Sequence, residues 1–195
     1  VNEPPLILAS TSPRRRELLA ARGVRFVVEA PEVDEDDDQG SAPDDLAEAL
    51  ARRKARAVAA RRDRGYVVGA DTVVALGGVS LGKPRDDADA RRILGLLAGT
   101  THRVVTGYCV VDAATGRERS GRATTSVTMR AMTAAEIAAY VASGESEGKA
   151  GAYAIQETGD RFVTRLEGGF DNVVGLPVEA VLAAAAALIF GGDAP

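Results

Sequence analysis

Tryptophan is missing from this chain, and aromatic residues make up only 4% of it. A carbohydrate cleft and a base-stacking nucleic-acid platform both rely on aromatic faces, so both classes are disfavoured. A single histidine, His102, excludes a two-histidine metal centre and a histidine zinc site. A single cysteine, Cys109, excludes an intrachain disulfide, and its setting in an apolar run reads as core. No apolar run reaches the length of a membrane span; the Ala-rich stretch 181–190 is too short. The start lacks the charged segment and apolar run of a signal peptide. The expectation is a soluble cytoplasmic protein with no membrane partner. A Walker A loop is absent, and Ser12 has no GxSxG elbow around it.

What is present suffices for one sizeable domain over residues 1–195, with 46% hydrophobic residues to build a core. The net charge of −4 argues against a nucleic-acid partner, although the basic residues are clustered. The most informative cluster lies in LILASTSPRRRELL at 6–19. It reads as a strand, a turn and a helix capped by Ser12, with Pro13 at its first position. Arg14, Arg15 and Arg16 then fall in the first turn, against the positive end of the helix dipole. An anion docked there, a phosphate above all, resolves the conflict. Solvated arginines on a capped helix are the alternative.

Further along, strands are predicted at 25–29, 66–76, 79–81, 102–112, 117–130, 149–156 and 162–166. Helices are predicted at 13–22, from a cap at Asp44 or Asp45 to 62, from Pro84 and Asp86 to 98–99, from the T-A-A-E capping box at 133–136 to 143–144, and at 178–190. Gly77-Gly78 reads as a hairpin turn. Helices interleave with hairpins, so the sheet is mixed and the class α/β.

Asp71 interrupts an apolar strand run, where a carboxylate needs a cation or hydrogen bonds. It reads as a general base or metal ligand at a strand end beside a cleft, or as a turn cap aided by Gly69. Leu46, Leu50, Lys54 and Val58 share one helical stripe, which turns Lys54 inward, toward the interior that Asp71 occupies. Lys83 sits before Pro84 as either a loop residue or a phosphate ligand. Glu32, Asp34, Glu35 and 36–38 form an acidic loop that could offer oxygen ligands to a hard cation or simply be solvated. Gln156 carries an amide that could read a base edge. The segment FDNVVGLPVEAV reads mainly as structural.

The ordered set ASTSPRRRELL, VDE at 33–35, the helix around Lys54, GADTVV, GKP, KAGAYAIQ and NVVGLP resembles the Maf family of nucleoside triphosphate pyrophosphatases. The resemblance spans nearly the whole chain. It implies a mixed twisted sheet flanked by helices, with two lobes around a deep cleft, similar to inosine triphosphate pyrophosphatases. It implies hydrolysis of dTTP and UTP to monophosphate and pyrophosphate, with Asp71 as proton acceptor. Ser12, Arg15, Lys54 and Lys83 match the family's phosphate-handling residues. Arg14, Thr72 and Gln156 match the positions linked to substrate choice, in the pattern of the dTTP/UTP branch. The metal is expected to be Mg²⁺, with Mn²⁺ or Co²⁺ able to substitute, at Glu35, Asp34 and Asp71. A homodimer is implied as well. The family usually reads E-P-x-D-K where this chain has Glu145-Ser146-Glu147-Gly148-Lys149, so Gly148 replaces the usual aspartate. Two other functions remain open: a non-catalytic nucleotide-binding regulator of cell division, and a pyrophosphatase for modified purine triphosphates such as 7-methyl-GTP.

Overall fold

The computed structural model describes residues 5–33, 42–156 and 158–191. Among these residues seven strands form one sheet: β1 (Leu6–Ala9), β2 (Phe26–Glu29), β3 (Tyr66–Leu76), β4 (Val79–Leu81), β5 (Thr101–Asp112), β6 (Glu118–Met129) and β7 (Val163–Glu167). Among the described residues six α-helices flank it: α1 (Pro13–Ala21), α2 (Pro43–Ala59), α3 (Asp87–Leu97), α4 (Ala134–Ala142), α5 (Phe170–Val174) and α6 (Val178–Phe190). The strand order is β2-β1-β3-β5-β6-β7, with β4 also on β3. β1 runs parallel to β2 and β3, and every other pairing is antiparallel. The mixed sheet follows from the alternation of tight hairpins with helical crossovers.

Local signals set most of the boundaries. Pro13 starts α1 and Gly23, at φ 69°, closes it. Gly77 and Gly78, at φ 58° and 84°, turn β3 into β4. Thr133 and Glu136 form a reciprocal capping box on α4. Two expectations are corrected. α2 begins with Pro43 and takes no side-chain cap from Asp44 or Asp45. These aspartates pair with Arg103 and Arg122 of the sheet instead. Residues 149–156 are no strand: a 3-10 turn at Ala150–Ala152, with Gly151 at φ 73° and Ala152 at φ 60°, breaks extended pairing.

β3 has a split edge. β5 pairs it on one side from Tyr66 to Ala75. On the other side β1 covers Tyr66 to Gly69, and β4 covers Val74 to Leu76. Between them, 70–73 face no strand among the described residues. The core divides near the same point. Leu8, Val68, Ala70 and Val181 cluster on one side, while Val74, Leu94, Val127, Tyr140 and Phe162 pack under α3 and α4. Two lobes thus meet beside the gap.

α2 presses hard on the opposite sheet face, where Ile7, Val67, Cys109, Ala51, Ala55 and Val58 pack. A Cβ on Gly69 would collide with the Ala51 carbonyl, and one on Gly107 with the Ala47 carbonyl. Gly69 therefore serves the approach of a helix and not a turn at Asp71. Cys109 is fully buried, and burial pushes its thiol up to about 12.

Candidate active site

A cleft of about 990 Å³ opens at the gap in β3, a volume suited to a nucleotide-sized ligand. Ser12, Arg14, Arg15, Lys54, Asp71, Thr72, Lys83 and Gln156 all line it. The fold brings these eight positions together from segments far apart in the chain. Asp34 and Glu35 lie outside the described residues, as do 36–38. Lys149 also lines the cleft, a position the sequence reading left without a role. Five basic side chains therefore border it: Arg14, Arg15, Lys54, Lys83 and Lys149. Among the described residues Asp71 is the one carboxylate on its wall.

Strand alternation sends neighbouring residues of β3 to opposite faces. Asp71 points to the α2 face. There its Oδ1 accepts from Lys54 Nζ at 2.6 Å, with the two residues 8% and 5% exposed. The depth of Lys54 follows from the small residues below it: Ala51 and Ala55 let α2 lie on Gly69, and the lysine of that stripe then reaches Asp71. Asp71 is mid-strand in β3, not at a strand end, although it sits two residues past the last β1 pairing.

Thr72 points to the other face, toward α1 and α5. Arg15 Nη2 donates to Thr72 Oγ1 at 3.2 Å, Arg15 Nε donates to the Gly175 carbonyl at 2.8 Å, and Nη1 reaches Ser10 Oγ at 3.4 Å. The three consecutive arginines thus separate: Arg14 and Arg15 turn to the cleft, and Arg16 stays exposed. Ser12 caps α1, its hydroxyl accepting from Arg15 N at 3.5 Å. Behind Thr72, the Thr106 hydroxyl lies 3.0 Å from Thr72 Oγ1 and donates to the Asn172 carbonyl at 2.8 Å. Asn172 Nδ2 donates to Val104 O and to Thr125 Oγ1. Sequence reading missed Thr106, Asn172 and the Gly175 carbonyl. A threonine beside Gly107 inside the run VVTGYCVV at 104–111 was the available signal.

The rim is more open. Lys83 and Gln156 are exposed, and Lys149 Nζ donates to the Glu145 carbonyl at 2.6 Å. Gly148, at φ 65°, lines the cleft, whereas its neighbour Glu147 does not. The Glu145 carboxylate is taken by Thr158 N and Oγ1. Tyr153 closes the floor, its hydroxyl 2.8 Å from His102 Nε2. Burial raises the Tyr153 phenol above its usual range and lowers His102 to about 4, so the pair is neutral near pH 7.

A family model described as Maf-like protein matches residues 5–188. A dTTP/UTP pyrophosphatase of Sphingopyxis alaskensis is 52% identical over 176 residues, spanning 90% of this chain and 92% of that protein. A dTTP/UTP pyrophosphatase of Geobacter sulfurreducens is 49% identical over 177 residues, or 89% of this chain and 91% of that protein. Among solved structures, a nucleoside-triphosphatase / dITP/XTP pyrophosphatase from Mycobacterium abscessus aligns with 64% of this chain and 74% of its own, at 20% identity and a TM-score of 0.45.

Proposed function

The chain belongs to the Maf family, and on that premise we propose that it is a nucleoside triphosphate pyrophosphatase acting on dTTP and UTP. The observation that carries the reading is the cleft itself: five basic side chains border a hollow with one buried carboxylate in its wall. A triphosphate repels an incoming nucleophile, and fixed positive charge removes that obstacle. In this reading Ser12, Arg15, Lys54 and Lys83 hold the phosphates, and Lys149 adds a further cation at the rim. A water oxygen bonds to the α-phosphorus while the bond from that phosphorus to the α–β bridging oxygen breaks. The water's proton passes to the Asp71 carboxylate, and pyrophosphate leaves. Lys54, hydrogen-bonded to Oδ1, fixes the direction of that carboxylate. Arg14 and Gln156 face the cleft with donors, and in the amide's case an acceptor, suited to a pyrimidine edge.

A divalent cation, Mg²⁺ in the first instance, suits this donor set. No group of three or more His, Cys, Asp or Glu forms a metal centre among the described residues. Mg²⁺ needs none, because it binds through one or two carboxylates together with waters and substrate phosphate oxygens. Asp71 is the described residue that would hold it. When bound, the ion supplies positive charge to the phosphate oxygens. The homodimer and the cytoplasmic setting belong to the same proposal. No helix among the described residues is long and apolar enough to cross a membrane.

The test is a panel of dTTP, UTP, the other canonical triphosphates and 7-methyl-GTP, assayed with Mg²⁺ for pyrophosphate. We expect release from dTTP and UTP above the rest. Tight binding without release from any substrate would turn the reading into a nucleotide-binding regulator.

A further inference from the structure

We propose that Tyr153 binds the substrate: its phenol proton is turned into the cleft, toward an acceptor oxygen of the nucleotide, and His102 is the positioning residue that turns it there. The inference rests on the pyrophosphatase reading and deepens it by adding a contact at the floor of the same cleft.

Tyr153 Oη and His102 Nε2 lie 2.8 Å apart, and the neutral pair holds one proton on the phenol and one on the ring. Two arrangements satisfy that contact. Either the phenol donates to Nε2 and the ring proton sits on Nδ1, or Nε2–H donates to the phenol oxygen and Nδ1 keeps a bare lone pair. Nδ1 is buried and has no hydrogen-bond partner among the described residues. The first arrangement strands an N–H donor in the interior, and buried N–H groups without an acceptor are rarer than under-used acceptors. The second strands only a lone pair, and it uses the tautomer that free histidine prefers. There the phenol oxygen accepts from His102, so its own proton points elsewhere. Among the described residues His102 is the one hydrogen-bond partner of that oxygen, and Tyr153 lines the cleft. The cleft is where the proton goes.

The surroundings hold that donor still. His102 is 1% exposed and Tyr153 6%. The turn before Tyr153 is tied by Gly151 N, which donates to the Gly82 carbonyl at 3.1 Å, and a Cβ on Gly151 would lie 2.9 Å from Val74 Cγ2. Directly after Tyr153, Ala154 N donates to Tyr140 Oη at 3.1 Å. The turn that replaces a strand at 149–156 thus fixes the tyrosine at the floor. Around it the wall is apolar, from Val74, Leu81, Val104 and Ile155. A ligand that covers this hydroxyl without offering an acceptor leaves it unpaired, so the wall selects for an oxygen at that point. The donor is in place before the ligand arrives, and no rotamer has to be frozen to make the bond.

The experiment uses the full chain. Its single histidine lets an NMR spectrum of the ring nitrogens read the tautomer directly. Nε2–H is expected at neutral pH, and Nδ1–H overturns the proposal. Binding is measured by calorimetry with two probes: inorganic tripolyphosphate, which has no base or sugar, and dTMP, which has both and a single phosphate. Tyr153→Phe is expected to weaken at least one probe about tenfold, the worth of one hydrogen bond. Loss with dTMP alone puts the oxygen on base or sugar, loss with tripolyphosphate alone on the outer phosphates, and loss with both on the α-phosphate. For dTTP and UTP, KM should rise by the same factor with kcat kept, the mark of a binding contact. His102→Leu should weaken the same probe by less, and His102→Gln, whose amide N–H stands in for Nε2–H, should restore it. Unchanged affinity for both probes in Tyr153→Phe overturns the proposal. In the wild-type chain the His102 Nε2–H resonance should shift when a probe saturates the cleft, since its acceptor then donates in turn. No shift with either probe overturns the proposal, whether or not Tyr153→Phe folds by circular dichroism. A chain that binds the probes in this way but releases no pyrophosphate from any nucleotide refutes the pyrophosphatase reading alone.

Discussion

Asp71 and Thr72 are consecutive, yet each anchors a different cation on a different face of the sheet. On the α2 face Lys54 meets a carboxylate in a buried ion pair. On the α1 face Arg15 is held by neutral oxygens of Thr72, Gly175 and Ser10. The chemistry of each partner sets what the cation can do. A buried ammonium against a carboxylate costs much desolvation and is specific in geometry. Hydroxyls and a carbonyl orient a guanidinium and, being neutral, do not themselves offset its charge. The first face is suited to aiming a proton acceptor beside a phosphate-holding lysine, the second to gripping phosphate alone. One step along a strand separates the two tasks, because a strand sends successive side chains to opposite sides.

Four perturbations probe this division, from the largest expected effect downward. Lys54→Met removes the ammonium and leaves the Asp71 carboxylate buried without it. Stability should fall by about 3–5 kcal/mol in urea unfolding, and a loss near zero would mean that the pair is not buried as described. Next comes pH, which acts on the Thr72 face through His102. Above its ordinary value of 6.5 the ring is neutral folded or unfolded, and stability does not depend on it. Between 6.5 and about 4 only the unfolded chain takes the proton, so stability falls with pH, by up to about 3 kcal/mol. The chain has one histidine, so a single NMR titration reads it; a midpoint near 6.5 contradicts the burial. Asp71→Asn keeps shape and should lower kcat about a hundredfold or more. Tripolyphosphate affinity should drop less than in Arg15→Ala, and the reverse order would merge the two tasks. Gly69→Ala forces α2 off the sheet and should cost about 1–3 kcal/mol in thermal unfolding. It should impair kcat more than tripolyphosphate binding, because it displaces Lys54 and leaves Arg15 on the other face in place.

Legibility in the sequence followed the range of the interaction. Ser12-Pro13, the Gly77-Gly78 turn and the Thr133–Glu136 box act within a few residues, and each placed its element. The inward lysine was readable from helical spacing, and its target from an aspartate stranded in an apolar run. Residues 149–156 misled because KAGAYAIQ alternates like a strand, whereas its glycine permits the positive φ that breaks one. Asp44 and Asp45 misled because either could cap; Pro43 started the helix and distant arginines claimed both. The clamp on Arg15 was unreadable. Its partners are hydroxyls and a carbonyl, common groups without a pattern, brought together only by the β3–β5 register and the α5 turn.

That clamp bears on how the chain comes into being. Arg15 and the carbonyl that holds it are 160 positions apart. During synthesis the arginine emerges well before its holder. Any product that contains Arg15 and stops before Gly175, whether a stalled ribosome's or a protease's, carries the cationic loop without its brace. Only a polypeptide that holds both positions can assemble the phosphate grip, so fragments that lack either one are unarmed.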